Sequence, residues 1–264
     1  MKLLVQGDDF GFTDAVTCGI LDAARNGVLR NTGAFMNMPG VEDALERIAP
    51  FSQVCVGIDF NIVSGKPVSN PETIPHLVDA NGEFIRSSVR VKDPLWQTEE
   101  GRKILFPYEE VCRELTAQLE RFVKVTGMQP GYLHSHSISP ENYEQVIREL
   151  SAKTSVPYSH DLRDRLGMFN YRSVMDTDSK AKVFDPVAQL NKQPLHSFLR
   201  IADESLRYEY GFLGGHPGYV DAALIHYSTL SLERIRDHAF YTSQELKDWI
   251  THHHVELITY ADLV

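Results

Sequence analysis

Asp8 and Asp9 stand side by side directly after the apolar run Leu3-Leu4-Val5. Asp59, His134, His136 and His216 each fall near the end of a further apolar stretch. Carboxylates and imidazoles are the side chains that hold divalent cations and move protons near neutral pH. Neighbours on an extended chain point to opposite sides, so Asp8 and Asp9 are expected to divide the work, one binding a metal and the other taking a proton. His134 and His136 are two residues apart and share one face of their strand. Two carboxylates and a histidine can hold a divalent ion while leaving positions open for water and substrate. The alternative for Asp8-Asp9 is an Asx-type turn or the N-cap of the next helix. His252, His253 and His254 fit a solvated helix end, where positive charge complements the dipole. Consecutive helical residues do not share one face, which argues against a metal site there.

The elements that must position these residues alternate. Leu3 to Val5 reads as a short buried strand with the carboxylate pair at its C-terminal end. Thr13 is placed to cap a helix through Ala24 that Gly27 ends. A strand around 28–36, a helix over 41–49 and a strand over 54–61 complete a βαβαβ order, which favours a parallel sheet. Residues 64–107 lose all periodicity, and a long irregular segment inside a compact domain is usually functional. It is expected to cover the mouth of the barrel, and its Phe84 and Trp96 either meet a sugar or pack the loop down. Residues 108–126 form an amphipathic helix through Val111, Leu115, Leu119 and Phe122. A strand over 132–138, a helix over 140–153, helical spacing over 186–208, a strand from Phe212, a helix over 231–253 broken near 241–243, and a closing strand over 255–260 follow. Residues 165–185 show no clear pattern. No internal repeat or linker divides the chain, so residues 1–264 read as a single domain.

A length of 264 residues is ordinary for one α/β barrel, and 42% hydrophobic residues allow a substantial core. Thirty-six acidic against 26 basic residues leave a net charge of −10, which argues against nucleic acid as a partner. Cys18, Cys55 and Cys112 are widely spaced and odd in number, as expected of reduced thiols in a cytoplasmic protein. Neither a signal peptide nor an apolar run long enough for a membrane span is visible.

Asp8-Asp9-Phe10-Gly11, Val56-Gly57-Ile58-Asp59-Phe60-Asn61 with Ser64-Gly65-Lys66-Pro67, Leu133-His134-Ser135-His136 and His216-Pro217-Gly218 follow in a telling order. The set resembles the YdjC-like carbohydrate deacetylases, the family of the chitooligosaccharide (chitin disaccharide) deacetylases, over nearly the whole chain. The resemblance implies a TIM-barrel-like (β/α) barrel related to polysaccharide deacetylases and metal-dependent removal of acetyl from N-acetylated sugars. It makes Asp9 and His136 metal ligands and places Asp59 where the family has a ligand histidine. His134 stands where the family motif has Asp, and Ile138 where it has a later His. Asp8 becomes the general base and His216 the group that protonates the leaving amine, with His134 supporting the metal's ligands. Two carboxylates among three ligands move the expected ion towards Mg2+, with Zn2+ or Mn2+ also possible. A homodimer is expected, although nothing in the sequence itself specifies one. The other readings are an inactive sugar-binding barrel and a hydrolase of another amide or a lactam, because a fold does not settle a function.

Overall fold

The computed structural model describes residues 1–174 and 184–263. Its centre is β1, Lys2–Phe10, in which every residue after Lys2 is buried. Six further strands join it: β2 (Asn31–Ala34), β3 (Cys55–Phe60), β4 (Leu133–Ser135), β5 (Phe169–Asn170), β6 (Tyr210–Gly215) and β7 (Glu256–Ile258). All pairings are parallel, in the order β4-β3-β2-β1-β6-β5. β7 shares one edge of β1 with β2: it pairs with Lys2–Leu4, and β2 takes Gln6–Phe10. No pairing joins β4 to β5 among the described residues, so the expected α/β barrel is an open one of seven strands.

Helices cover the sheet because each presents an apolar face. In α1 (Asp14–Asn26), Thr13 Oγ1 accepts from the Val16 amide, Gly27 ends the helix, and Val16, Ile20 and Ala23 are buried. Gly19 lets α1 close on the strand-end loop, since a Cβ there would lie 2.5 Å from Gly218 Cα. α2 is Val41–Ile48, and α3 is Tyr108–Thr126, closed by Gly127 in the left-handed conformation. α4 (Glu141–Thr154) and α5 (Ser159–Arg165) follow β4.

The expected helical run over 186–208 is three short helices, of which α6 is Pro186–Asn191, because Pro194 removes a backbone donor between them. The expected final helix divides into α7 (Glu233–Thr242) and α8 (Gln244–His252), with Ser243 capping the second. The irregular stretch 165–185 contains β5, and its residues 175–183 lie outside the described residues.

The segment 64–107 is not without structure. It holds short helical turns at Pro71–Thr73, Ser87–Arg90, Pro94–Gln97 and Glu99–Leu105. Buried polar residues of α3 clip it to the barrel. Glu114 accepts the amides of Val68 and Ser69, Glu110 accepts the amide of His76, and Gln118 bonds both backbone groups of Asn61. No helix among the described residues is long and apolar enough to cross a membrane.

Candidate metal centre and active site

β1 does not stop before the carboxylates, as the sequence suggests, but runs through them to Phe10. Its register with β2 slips between Gly7 and Phe10, and Asp9 has φ +74°. Such a bulge with a left-handed residue re-aims side chains at the rim of a sheet. Asp8 and Asp9 therefore line the same cleft instead of facing opposite sides. Holding a non-glycine residue there costs on the order of 1–3 kcal/mol, strain of the kind found at functional sites.

Asp9, Asp59 and His136 each bring one ligand atom to within 4.8 Å of the others. The two carboxylates are held in the same manner, one oxygen anchored and one left over. Asp9 Oδ2 accepts from Arg234 Nη2, and Asp59 Oδ2 accepts from the Asp9 amide at 3.1 Å. Oδ1 of each is buried without a hydrogen-bond partner among the described residues. His136 Nδ1 is 3.0 Å from Asp9 Oδ1, a close approach that lacks hydrogen-bond geometry. The Tyr143 hydroxyl and the Phe60 carbonyl hold the His136 amide, and the ring meets Phe35 edge-on at 4.6 Å. Two orphaned carboxylate oxygens facing an imidazole nitrogen fit a divalent cation, since a buried acceptor without a donor is costly.

Burial raises all three site carboxyls, and their neighbours then separate them. For Asp9, Arg234 and His136 overcome the burial and hold the carboxyl well below the usual range. For Asp59, burial first and then the charges of Asp8 and Asp9 push the carboxyl well above that range. Asp8 is also raised, mainly by burial, with Arg172 opposing. His216 is driven well below the usual imidazole range by burial and Arg172, so it is neutral at pH 7.

Asp8 Oδ1 accepts from Gln6 Nε2 at 2.6 Å. Its Oδ2 lies 3.5 Å from Arg172 Nη1 and 3.9 Å from His216 Nε2. The His216 amide donates to Asp237 Oδ2, and Lys192 Nζ bridges Asp237 and Glu233 below it. His134 lines the same cleft, with Nδ1 on Ser159 Oγ at 2.7 Å. The cleft measures about 480 Å³, and a neighbouring pocket of about 380 Å³ shares Asp8, His134 and Arg172 with it. Clefts of this size suit small ligands. A larger groove, about 1120 Å³, lies elsewhere, between α2 and α3, and contains none of these residues.

From the 64–107 segment, Ser64, Arg86, Ser87 and Ser88 reach the cleft wall. Phe84 and Trp96 do not: Phe84 is core, and Trp96 packs edge-on against Phe106 at 6.2 Å. Their aromatic surface holds the segment down, which corrects the reading of either as a sugar platform.

Sequence reasoning missed Gln6, Arg172 and Arg234. Gln6 precedes Asp8 by two residues and so shares its face of β1, a signal that was available. Arg172 sits in the stretch without periodicity, and Arg234 lies in an ordinary amphipathic helix, so neither carried one.

Gly33 completes the packing behind the centre. A Cβ on it would lie 2.7 Å from Asp59 Cβ and 3.0 Å from the Asp59 backbone nitrogen. Gly33→Ala is expected to destabilise the fold by about 1–3 kcal/mol in urea unfolding. It should also weaken metal binding in titration, because Asp59 is the group displaced. Unchanged metal affinity would show that the strand yields elsewhere.

The profile of the family described as YdjC-like protein matches residues 2–252. The chain is 30% identical to a carbohydrate deacetylase of Enterococcus faecalis, covering 99% of this chain and 98% of that protein. It is 29% identical to carbohydrate deacetylase 2 of Listeria innocua, over 100% and 99%. A chitooligosaccharide deacetylase of Yersinia pestis is also 29% identical, over 98% of both. A crystal structure from Enterococcus faecalis V583, provisionally assigned as a cellobiose-phosphate cleavage protein, superposes with a TM-score of 0.77 at 26% identity. That match covers 100% of this chain and 98% of the other.

Proposed function

The chain belongs to the YdjC-like family, and on that premise we propose that it is a metal-dependent deacetylase of N-acetylated sugars of the chitooligosaccharide type. We read residues 1–264 as one domain built around this site. The observation that carries the proposal is the pair of orphaned Oδ1 atoms on Asp9 and Asp59 facing His136. Asp9, Asp59 and His136 would hold the cation, with Mg2+ favoured by the two carboxylates and Zn2+ or Mn2+ possible. A divalent ion bound there supplies Lewis acidity to an acyl oxygen and makes water easier to deprotonate.

The chain's own groups do the rest. Asp8 Oδ2 takes a proton as water adds to the acetyl carbonyl, and its raised affinity for protons suits a base working near neutrality. The amine must be protonated as the C–N bond breaks. Neutral His216 has no spare proton at the start, so it serves as the acid only after receiving one from Asp8, 3.9 Å away. His216 thus remains the group that protonates the leaving amine, with Asp8 as the source of the proton. Acetate and the free amino sugar leave.

The test is acetate release from N-acetylated chitooligosaccharides that stops on chelation and returns with added divalent ion, beside metal analysis of the purified protein. Sugar binding unaffected by chelator, with no acetate formed, would establish the inactive barrel instead.

The proton on Asp59 gives a second check. Its carboxyl is raised, so the metal-free protein keeps that proton at low pH and loses it as pH climbs. A cation must displace it. Affinity for Mg2+ or Zn2+ is therefore expected to rise with pH, by up to about tenfold per unit, with a proton released on binding. Calorimetry in buffers of different ionisation enthalpy reads both. Affinity independent of pH would remove Asp59 from the ligand set.

A further inference from the structure

Three side chains from opposite ends of the sequence form a buried line. Tyr260 Oη donates to Gln6 Oε1 at 2.7 Å, and Gln6 Nε2 donates to Asp8 Oδ1 at 2.6 Å. Gln6 and Tyr260 are fully buried, and Asp8 nearly so. We propose that the Tyr260 hydroxyl, acting through the Gln6 amide, is a positioning group that fixes the Asp8 carboxylate for proton transfer. The proposal rests on the reading of Asp8 as the base.

The direction of the line follows from what each group can do. A carboxylate only accepts, so the amide must turn its NH₂ to Asp8 and its oxygen the other way. That oxygen only accepts, so the phenol must donate to it. The tyrosine anchors the far end of the amide, so the NH₂ group is held in one place against Asp8. With Oδ1 engaged, Oδ2 remains for the reaction, facing His216 and Arg172. A carboxylate without such an anchor turns in a broad well about its last bond.

Tyr260 is itself held without slack. Its amide donates to Asn31 Oδ1 at 2.9 Å, and its ring stacks on Tyr132 with centroids 4.1 Å apart. Asn31 Nδ2 donates to the carbonyls of Val5 and Ile258, tying β7 to β1 at that point. The turn after β7 is thereby joined, through Tyr260 and Gln6, to Asp8 in the cleft.

Tyr260→Phe removes one oxygen and leaves the stack. The expected result is a loss of about tenfold in kcat for acetate release from an N-acetylated chitooligosaccharide, the effect of one hydrogen bond. KM and metal content should stay as in the parent. Gln6→Met is expected to lose as much or more, and the double variant no more than Gln6→Met alone. Tyr132→Phe is the control: its hydroxyl has no hydrogen-bond partner among the described residues, and its removal should leave kcat unchanged. Independently of turnover, the crystal structure of Tyr260→Phe should show the Gln6 amide displaced and the Asp8 carboxylate rotated from their positions in the parent. An Asp8 carboxylate that has not moved, full kcat in Tyr260→Phe, or losses that multiply in the double variant would overturn the proposal. A merely structural role would lower Tm and leave kcat alone. Should Asp8→Asn keep its turnover, the base assignment fails, while the crystal structure still decides whether Tyr260 positions residue 8.

Discussion

Asp8→Asn is expected to lower kcat by about 10²–10⁴-fold, the range supplied by general-base assistance. Folding and metal content should stay close to the parent's. The variant is a clean one because the amide keeps its shape and its Oδ1 can still accept from Gln6 Nε2. What it loses is a basic Oδ2 beside His216. Asp8 is also separate from the convergent ligand atoms of Asp9, Asp59 and His136. Acetate release at saturating substrate, metal analysis and thermal melting together decide the outcome. Loss of bound metal would move Asp8 into the ligand set, and retained turnover would end its assignment as base.

Arg234→Leu is expected to be the most destabilising single change near the centre, by about 3–5 kcal/mol. Arg234 and Asp9 are both buried, with side-chain exposures of 1% and 0%. Removing one partner of such a pair strands the other charge in a medium that cannot solvate it. The pH dependence follows from the direction of the Asp9 shift. In the parent, Asp9 is held well below the usual carboxylate range, so its stabilising contribution is present above the unfolded value. That contribution is lost only as pH falls through the lower folded value. In the variant burial acts without Arg234, the carboxyl rises, and the penalty is greatest near neutral pH. Acidification should then narrow the gap between variant and parent as Asp9 takes a proton. Urea unfolding at neutral and acidic pH measures this, and a gap that does not change with pH would show that lost packing, not stranded charge, sets the cost. Adding Asp9→Asn to Arg234→Leu should recover part of the loss at neutral pH.

Much of this was legible in the chain. Alternating apolar runs and helical stripes favoured a parallel sheet, because those periods follow from backbone geometry and need no partner, and the family resemblance implied the barrel. Thr13, Gly27 and Gly127 mark helix ends for local reasons of the same kind. The polar residues near strand ends were visible too, since strand ends in parallel barrels collect at one rim. The segment 64–107 was legible only as an exception. Whether its aromatics faced sugar or core depended on the clips from Glu110 and Glu114 on α3, which no local pattern announces.

The order of elements along the chain by itself determined a parallel α/β sheet, the ordered motifs carried the family resemblance that implied a barrel, and the strand ends supplied the candidates Asp8, Asp9, Asp59, His136 and His216. Tertiary structure decided how those candidates are used. The bulge at Asp9 turned two carboxylates into one cleft where a regular strand would have parted them. Arg234, reaching Asp9 from 225 residues away, left one oxygen free and made one of three similar acids the strongest. Asp59, with the charges of Asp8 and Asp9 added to burial, became a much weaker acid than Asp9. The physical reason is that burial raises each of these carboxyls, and only the charges brought near by the fold separate them. Those neighbours lie far apart in sequence, so no stretch of the chain contains the information alone.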